Sequence, residues 1–201
     1  RAFVLEDDKF KDIATPNYNI PTRIRTVISA DFDNDGYDEI FMNNIGEPNK
    51  LFKIKENGFF EEIKIQNAYE SNGLGTGAAV ADIDEDGILE LLVSHGESGM
   101  QPLTMYKADI KKDFNYIRIK PLNKYGAPAR GATVILNSNF RNHAKTIDAG
   151  SGYLCQMEPV AHYGIRESEK NISVKIVWTD GSSQSLKIDE FNKTIEVNQK
   201  K

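Results

Sequence analysis

The sequence contains a single cysteine, Cys155, and no hydrophobic run that approaches the length of a membrane span. A lone cysteine excludes an internal disulfide framework, and a transmembrane helix needs about 20 consecutive apolar residues. Basic residues are outnumbered as well, because 25 Lys and Arg stand against 30 Asp and Glu, for a formal net charge of −5. General binding to nucleic acid, which needs a basic surface, is therefore not expected.

The remaining composition, with 39% hydrophobic and 27% charged residues among 201, is that of an ordinary globular protein. This length suits one large domain or two modest ones. The chain begins at Arg1 within a strand-like segment, residues 2–5, which predicts a fragment or a processed product. A missing secretion signal therefore carries no information about location.

The acidic residues are concentrated in two short segments that share one pattern. These segments are residues 31–39 and 82–90, and both carry acids at positions 1, 3, 5 and 9 with glycine at position 6. Alternate side chains at positions 1, 3 and 5 can point inward together, and glycine takes the positive φ that a sharp bend around an ion requires. Two copies with the same spacing favour a cation site over the alternative, an acidic hairpin turn that is simply hydrated.

Calcium is the cation that this pattern predicts. Ca²⁺ takes about six to eight oxygen ligands at about 2.3–2.6 Å and tolerates irregular geometry. The main-chain carbonyl at position 7 would add an oxygen, and the glutamate at position 9 would close the shell. Two Ca²⁺ sites are therefore predicted, with ligands Asp31, Asp33, Asp35, the Tyr37 carbonyl and Glu39 in the first and Asp82, Asp84, Asp86, the Ile88 carbonyl and Glu90 in the second. Such sites have the weak affinity, about 10⁻⁴–10⁻³ M, of extracellular modules.

The flanks distinguish these segments from EF-hand loops, which need a bidentate glutamate at position 12 and a helix on each side. Position 12 is Met42 in the first copy and Val93 in the second. Short apolar runs with β-branched or aromatic members precede and follow both loops, as residues 27–30, 40–42, 78–81 and 91–93. Such runs are typical of buried strands, so each loop is predicted to join two strands.

The loops belong to a longer internal repeat of about 50 residues, a period typical of propellers, solenoids and arrays. Phe10 and Ile13 match Phe60 and Ile63, and the separation of these matches along the chain is nearly equal to that of the two acidic loops. Turn signals divide one period into four strands, which is one propeller blade. The predicted strands are roughly 24–30, 39–43, 50–55 and 59–65 in the first unit, and 77–81, 89–94, 102–107 and a fourth at about 114–120 in the second.

The segments Ala30-Asp31-Phe32-Asp33-x-Asp35-Gly36 and Ala81-Asp82-Ile83-Asp84-x-Asp86-Gly87 resemble the FG-GAP/VCBS repeat family, whose calcium-loop blades also occur in integrin α-chain propellers. The ninth residue in that family is usually Asp, whereas both copies here carry Glu. The resemblance implies a closed ring of several blades. About two blades are present in this chain, so either the remaining blades lie elsewhere in the protein, with upstream the expected place, or the sheet edges pair with something else.

Residues 114–201 lack acidic loops and are predicted to form a second, small β-sandwich-like domain after the repeat region of residues 1–113. Strand-like runs at 116–120, 132–136, 144–147, 174–178, 185–188 and 194–197 alternate with glycine-bearing turns. The segments 125–132, 150–164 and 174–181 resemble the ASPIC/UnbV domain, and the order of the two regions resembles the C-terminal part of the cartilage acidic protein 1 family and its bacterial members. The fold class is thus all-β, with propeller-type blades followed by a sandwich.

This resemblance implies a secreted or extracellular protein, periplasmic in a bacterium, that binds calcium and has no catalytic activity. Its partner is expected to be a protein or a glycan of the cell surface or matrix. The rival hypothesis is a polysaccharide-acting hydrolase or lyase that uses the blades as a substrate platform. Glu158 and His162 are the nearest candidates for its acid–base pair, but no second acid completes them.

Other residues are predicted to serve the structure. The spacing of His95, His143 and His162 does not suit zinc, and Ser151 lacks the setting of a nucleophile elbow. Arg130 is expected to pair with Glu158. Cys155 is expected to be buried and inert, and Trp178 and Tyr153 are expected to lie in the core rather than stack on a sugar.

Overall fold

A computed structural model describes residues 1–97, 99–110, 114–150 and 152–200 of the chain. Within these residues the protein is all-β apart from one short 3-10 helix, and none of the described helices is long and apolar enough to cross a membrane. The strands are β1 (Phe3–Glu6), β2 (Lys9–Asp12), β3 (Ile24–Ala30), β4 (Glu39–Asn44), β5 (Lys50–Ile54), β6 (Phe60–Ile63), β7 (Gly75–Ala81), β8 (Glu90–His95), β9 (Thr104–Lys107), β10 (Asn115–Leu122), β11 (Thr133–Asn137), β12 (Asn142–Thr146), β13 (Ala161–Ile165), β14 (Ser173–Val177), β15 (Ser183–Lys187) and β16 (Lys193–Asn198).

The first blade is a four-stranded antiparallel sheet in the order β3-β4-β5-β6, as the repeat predicts. Strand β3 alternates between buried and exposed side chains, which places Ile28 and Ala30 in the core. Strand β4 is buried along almost its whole length, because it lies in the middle of the sheet. The acidic loop 31–39 joins these two strands.

The second blade contains β7, β8 and β9, and its core side chains pack against those of the first blade in one cluster. The acidic loop 82–90 joins β7 and β8, as loop 31–39 joins β3 and β4. The prediction that residues 114–120 supply its fourth strand is wrong. Strand β10 pairs instead with β13 and β16, because Ile117 and Ile119 bury their side chains in the core of the second half.

The second half forms two facing sheets, β13-β10-β16 and β12-β11-β14-β15. Strands β10 and β16 run parallel, whereas the other pairs are antiparallel. The core lies between the sheets and includes Tyr163 from β13 and Leu136 from β11, both fully buried. Trp178 is also buried, and its indole Nε1 donates to the Leu122 carbonyl at 3.1 Å. The predicted core position of Trp178 is therefore confirmed, whereas Tyr153 is 44% exposed.

The repeat region and the sandwich meet along a close interface that is built around two glycines. A Cβ atom on Gly164 of β13 would lie 2.4 Å from the carbonyl oxygen of Asn34 in the first loop. A Cβ atom on Gly87 of the second loop would lie 2.0 Å from the ring of Tyr116 on β10. Both acidic loops therefore lie directly against the sheet β13-β10-β16.

This close approach predicts a measurable cost for one added methyl group. Gly164→Ala forces the first loop away from β13, because the new Cβ would overlap the Asn34 backbone. We expect a loss of about 1–3 kcal/mol in the free energy of unfolding, as is typical of overpacking, measured by urea denaturation. Gly150→Ala is the matched control, since its Cβ would be 3.7 Å from the nearest atom. Equal stability of the two variants would contradict the packed interface.

Candidate calcium sites

The first acidic loop is shaped by its own side chains, which accept hydrogen bonds from its backbone. Asp31 Oδ2 accepts from the Gly36 amide at 3.0 Å, and Glu39 Oε2 accepts from the Phe32 amide at 3.0 Å. Asp33 and Asp35 each accept from the amide two residues further on, at 3.1 and 3.0 Å, which is the usual turn-forming bond of aspartate. The acids thus fold the loop back on itself.

The second loop repeats three of these four bonds. Asp82 Oδ2 accepts from the Gly87 amide at 3.0 Å, Glu90 Oε2 from the Ile83 amide at 2.7 Å, and Asp86 Oδ1 from the Ile88 amide at 2.9 Å. The backbone also repeats, because position 4 has φ of 56° and 59° and the position-6 glycine has φ of 91° and 83°. Glycine suits that position since a side chain there would be strained.

Each loop gathers carboxylate oxygens tightly enough to hold a metal ion. One oxygen each from Asp31, Asp33 and Glu39 lies within 4.8 Å of the others, and the same holds for Asp82, Asp84 and Asp86. The second oxygen of each position-1 aspartate, Oδ1, is buried and accepts no hydrogen bond from the described residues. A buried oxygen without a donor is costly unless a cation or water satisfies it, so the donor set fits a hard, oxygen-seeking ion.

Two predicted carboxylate ligands, Asp35 and Glu90, remain. Each contacts a lysine that also contacts carboxylates of the cluster in its own loop. Lys53 Nζ lies 2.6 Å from Asp33, 2.7 Å from Asp35 and 3.3 Å from Glu39. Lys107 Nζ lies 2.8 Å from Asp84, 2.9 Å from Asp86 and 2.5 Å from Glu90. The structure therefore places an ammonium group among the carboxylates of both loops.

Strand pairing explains why the same contact occurs twice. Lys107 on β9 pairs with Glu90 at the start of β8. Lys53 follows Phe52, which pairs with Ile40, so it lies across from Glu39. Opposite charges directly across two antiparallel strands attract one another. The predicted carbonyl ligands Tyr37 and Ile88 lie at the turn of each loop, where their amides bind Asp35 and Asp86, and their ligand role stays a prediction.

Burial and crowding shift the pKa values of these groups. Burial, reinforced by repulsion from Asp38 and Asp33 and opposed by Lys145, raises the pKa of Asp31 to about 7. Burial together with the charges of Asp33 and Asp31 raises the pKa of Glu39 to about 8, despite the attraction of Lys53. Burial also raises the pKa of Asp82. The ionised forms of these three carboxylates are therefore less well stabilised in the loops than they would be in water.

The pKa values of the two lysines are raised as well, which for a lysine favours the charged form. Burial by itself would lower the pKa of Lys53, but hydrogen bonds to Asp33 and Asp35 and the charge of Glu39 raise it above its ordinary value. The pKa of Lys107 is raised in the same way by Asp84, Glu90 and Asp86, against burial. Both ammonium groups therefore stay protonated.

The sandwich supplies further groups to the position-1 aspartates. The Gly164 amide donates to Asp31 Oδ2 at 2.9 Å. In the second loop, Arg118 Nη1 lies 3.3 Å from Asp82 Oδ2, and the arginine side chain is only 3% exposed. Sequence reasoning missed both residues, because nothing in the local pattern of β10 or β13 shows that these strands face the loops.

Asn34 connects the two loops and the sandwich at one point. Its side-chain Nδ2 donates to the Gly87 carbonyl of the second loop at 2.7 Å. Its Oδ1 lies 2.6 Å from Nε2 of His162 on β13. Since Oδ1 is an acceptor, His162 carries its proton on Nε2. Burial, followed by the charges of Lys145 and Arg118, holds the pKa of His162 well below its usual value.

The candidates for the rival enzyme are engaged in the same interface. Glu158 and His162 line a cavity of about 470 Å³ between the blades and the sandwich. Glu158 Oε2 accepts from the Arg118 guanidinium and from the Asp82 amide, and His162 is bound to Asn34. The predicted pairing of Glu158 with Arg130 is wrong, because Arg130 Nη1 donates to the Asp148 carbonyl at 2.6 Å. Arg118 is nearer to Glu158, since β10 runs beside β13.

The remaining candidates have structural partners. His95 contacts the Pro102 carbonyl and Glu70, at 2.7 and 2.9 Å, and His143 packs edge-on against Tyr163. Burial raises the pKa of the half-buried Cys155 thiol, which disfavours the reactive thiolate. The predicted turn at Ser151 lies outside the described residues.

Acidic loops between the first and second strands of each β-blade, followed by a β-sandwich that packs on those loops, define a repeat protein with candidate metal sites. A family model for the FG-GAP-like repeat matches residues 31–93, and the model for ASPIC and UnbV matches residues 123–201. The chain is similar to cartilage acidic protein 1, since it is 44% identical over 94% of its length to the proteins of that name from Mus musculus, Homo sapiens and Xenopus tropicalis. It spans about a third of the length of these curated relatives, 30–31%.

The buried, neutral state of His162 predicts that acid weakens the fold. As the pH falls below about 6.5, the unfolded chain takes up a proton on this histidine while the folded protein does not, so the stability that is present above that pH is lost. We expect the free energy of unfolding to fall by up to about 1.4 kcal/mol per pH unit from this group. His162→Gln should show a shallower decline between pH 6.5 and 5 in urea titrations with chelator.

The comparison of wild type with His162→Gln has an internal control at higher pH. Between pH 7.5 and 8.5 the imidazole is neutral in both the folded and the unfolded chain, so wild type and His162→Gln should show the same pH dependence there. Parallel curves across the acidic range as well would contradict the assignment of a buried, neutral His162.

Proposed function

We propose that this chain is a non-enzymatic, extracellular calcium-binding module for adhesion or interaction, in which each acidic loop binds one Ca²⁺ ion. The observation that carries the proposal is the chemistry that the two loops share. Both present a buried position-1 oxygen without a donor, carboxylates at positions 3 and 5, and a buried glutamate at position 9. Selection for mere acidity would not reproduce these bonds and backbone angles twice.

The proposed ligands are the carboxylates at positions 1, 3, 5 and 9 together with the carbonyls of Tyr37 and Ile88. Calcium suits these sites better than a smaller cation, because it accepts irregular shells of carboxylate and carbonyl oxygens. When bound, the ion would neutralise charge that burial leaves poorly solvated. The backbone bonds within each loop hold the carboxylates near one another and reduce the ordering that binding requires.

The location and the partner follow from the resemblance and from the expected affinity. The relatives are named for cartilage and for acidity, and open loops of this type fill at the calcium concentrations found outside cells, where modules bind at about 10⁻⁴–10⁻³ M. In a bacterium the corresponding compartment is the periplasm. A protein or glycan of the cell surface or matrix is the proposed partner, and further blades upstream would complete the ring.

The division into a repeat region, 1–113, and an ASPIC/UnbV-like domain, 114–201, is part of this proposal. Strand β10 supports this division, because it is the first strand along the chain that belongs to the sandwich. The two separate family matches support it as well. Residues 111–113, where the predicted boundary lies, are outside the described residues.

Calcium binding is tested by titration calorimetry and thermal unfolding. We expect two binding events in wild type and a rise in Tm with calcium, because an ion that binds only the native protein stabilises it by about 2.7 kcal/mol at a hundredfold excess over Kd. Asp33→Asn should remove or weaken one event and Asp84→Asn the other, with a smaller calcium-dependent rise in Tm for each variant. No heat of binding and no change in Tm between chelator and millimolar calcium would overturn the proposal.

Glu85→Gln is the matched control for these variants. It makes the same change of charge within the second loop, but its side chain is exposed and lies between the ligand positions. Its two binding events should equal those of wild type. If Glu85→Gln and Asp84→Asn weaken binding alike, general charge rather than the proposed ligand set controls the affinity.

A further inference from the structure

The lysines of β5 and β9 are not ordinary surface ion pairs. Lys53 and Lys107 each approach three carboxylates of the proposed calcium shell, within 3.3 Å in every case. Their side chains are 18% and 29% exposed. By contrast, Lys55 is 46% exposed and pairs with one carboxylate, Glu61. The same ammonium position in both loops indicates a shared role.

We propose that Lys53 and Lys107 are built-in competitors of calcium, each holding its ammonium group where the ion binds and leaving the loop when Ca²⁺ enters. This inference rests on the proposed function, because it concerns the occupancy of the same loops.

The two cations exclude one another on geometric and electrostatic grounds. Calcium would bind the carboxylate oxygens at about 2.3–2.6 Å. In the first loop, Lys53 Nζ already lies 2.6–3.3 Å from carboxylate oxygens of three proposed ligands, Asp33, Asp35 and Glu39. An ammonium group and a dication that share the same oxygens would repel each other at a few ångströms, with little water between them. Entry of Ca²⁺ therefore requires the lysine to swing out on its flexible stem.

Competition has two consequences for the protein. It weakens the apparent affinity, since an ion that binds only the lysine-out form has its Kd multiplied by the inverse of that form's population. It also keeps the loops folded without metal, because the lysine partly neutralises the carboxylates. The loops would then respond to calcium over a higher concentration range while the blades stay intact.

Substitution of the lysines tests the first consequence by titration calorimetry. Lys53→Met keeps the apolar stem and removes the ammonium group, so we expect calcium affinity at the first loop to rise by about tenfold or more, corresponding to a lysine-out population of about a tenth or less. Lys107→Met should do the same at the second loop. The controls are Lys55→Met and Lys120→Met, which remove charges that pair outside the loops, with Glu61 and Glu196. If they raise the affinity as much, distant charge explains the effect and the inference is overturned.

Displacement itself is measured on the unaltered protein by its reactivity toward an amine-acetylating reagent, followed by mass spectrometry. Salt-bridged Lys53 and Lys107 should react slowly in chelator and several-fold faster in saturating calcium, whereas Lys120 should react equally in both. Two binding events with unchanged lysine reactivity would overturn the inference and leave the proposed function standing. An absence of any calcium binding, in wild type and in both lysine variants, would overturn both.

Discussion

Two clusters of buried negative charge are the constraint on which the rest of the structure depends. Asp31, Glu39, Asp82 and Glu90 are all nearly inaccessible to water, and burying a carboxylate is costly unless hydrogen bonds or cations compensate. The compensation comes from three directions in each loop. Amides of the loop bind one oxygen of the position-1 aspartate and one oxygen of the position-9 glutamate. A lysine of the same blade approaches the other glutamate oxygen, and the sandwich adds an amide or a guanidinium at the aspartate.

Because the sandwich contributes to this compensation, the loops act as the junction of the two halves. Gly164 and Arg118 reach the position-1 aspartates, and Asn34 binds both the second loop and His162. Lys145 of β12 adds an ion pair with Asp38 at 2.7 Å. A change of charge within either loop therefore alters the contacts of the interface. Metal occupancy would be linked to the free energy with which the sandwich packs on the blades.

Much of the blade region could be predicted from the sequence, because glycine position, acid spacing and flanking strands repeat along the chain. The contacts that complete the loops could not. The hairpins that carry Lys53 and Lys107 differ in length, so the lysines do not align in the repeat, and only strand pairing brings them opposite Glu39 and Glu90. Strand β13 was missed because its residues, Ala161–Ile165, are buried on both faces and lack the alternation of a half-exposed strand. The assignment of residues 114–120 to the second blade failed for a different reason, since a local pattern can locate a strand, here β10, but does not choose its partner.

The lysines also change how the acidic pattern should be interpreted. Crowded carboxylates indicate a metal ion when the loop is considered alone, yet each blade places a cation of its own across from the position-9 glutamate. One ammonium group cannot satisfy every oxygen, because Asp31 Oδ1 and Asp82 Oδ1 remain without a donor among the described residues. A dication would provide more charge and more coordination positions. Under the proposed function, the chain's own lysines and amides satisfy part of each carboxylate cluster, and a calcium ion would satisfy the oxygens that they leave.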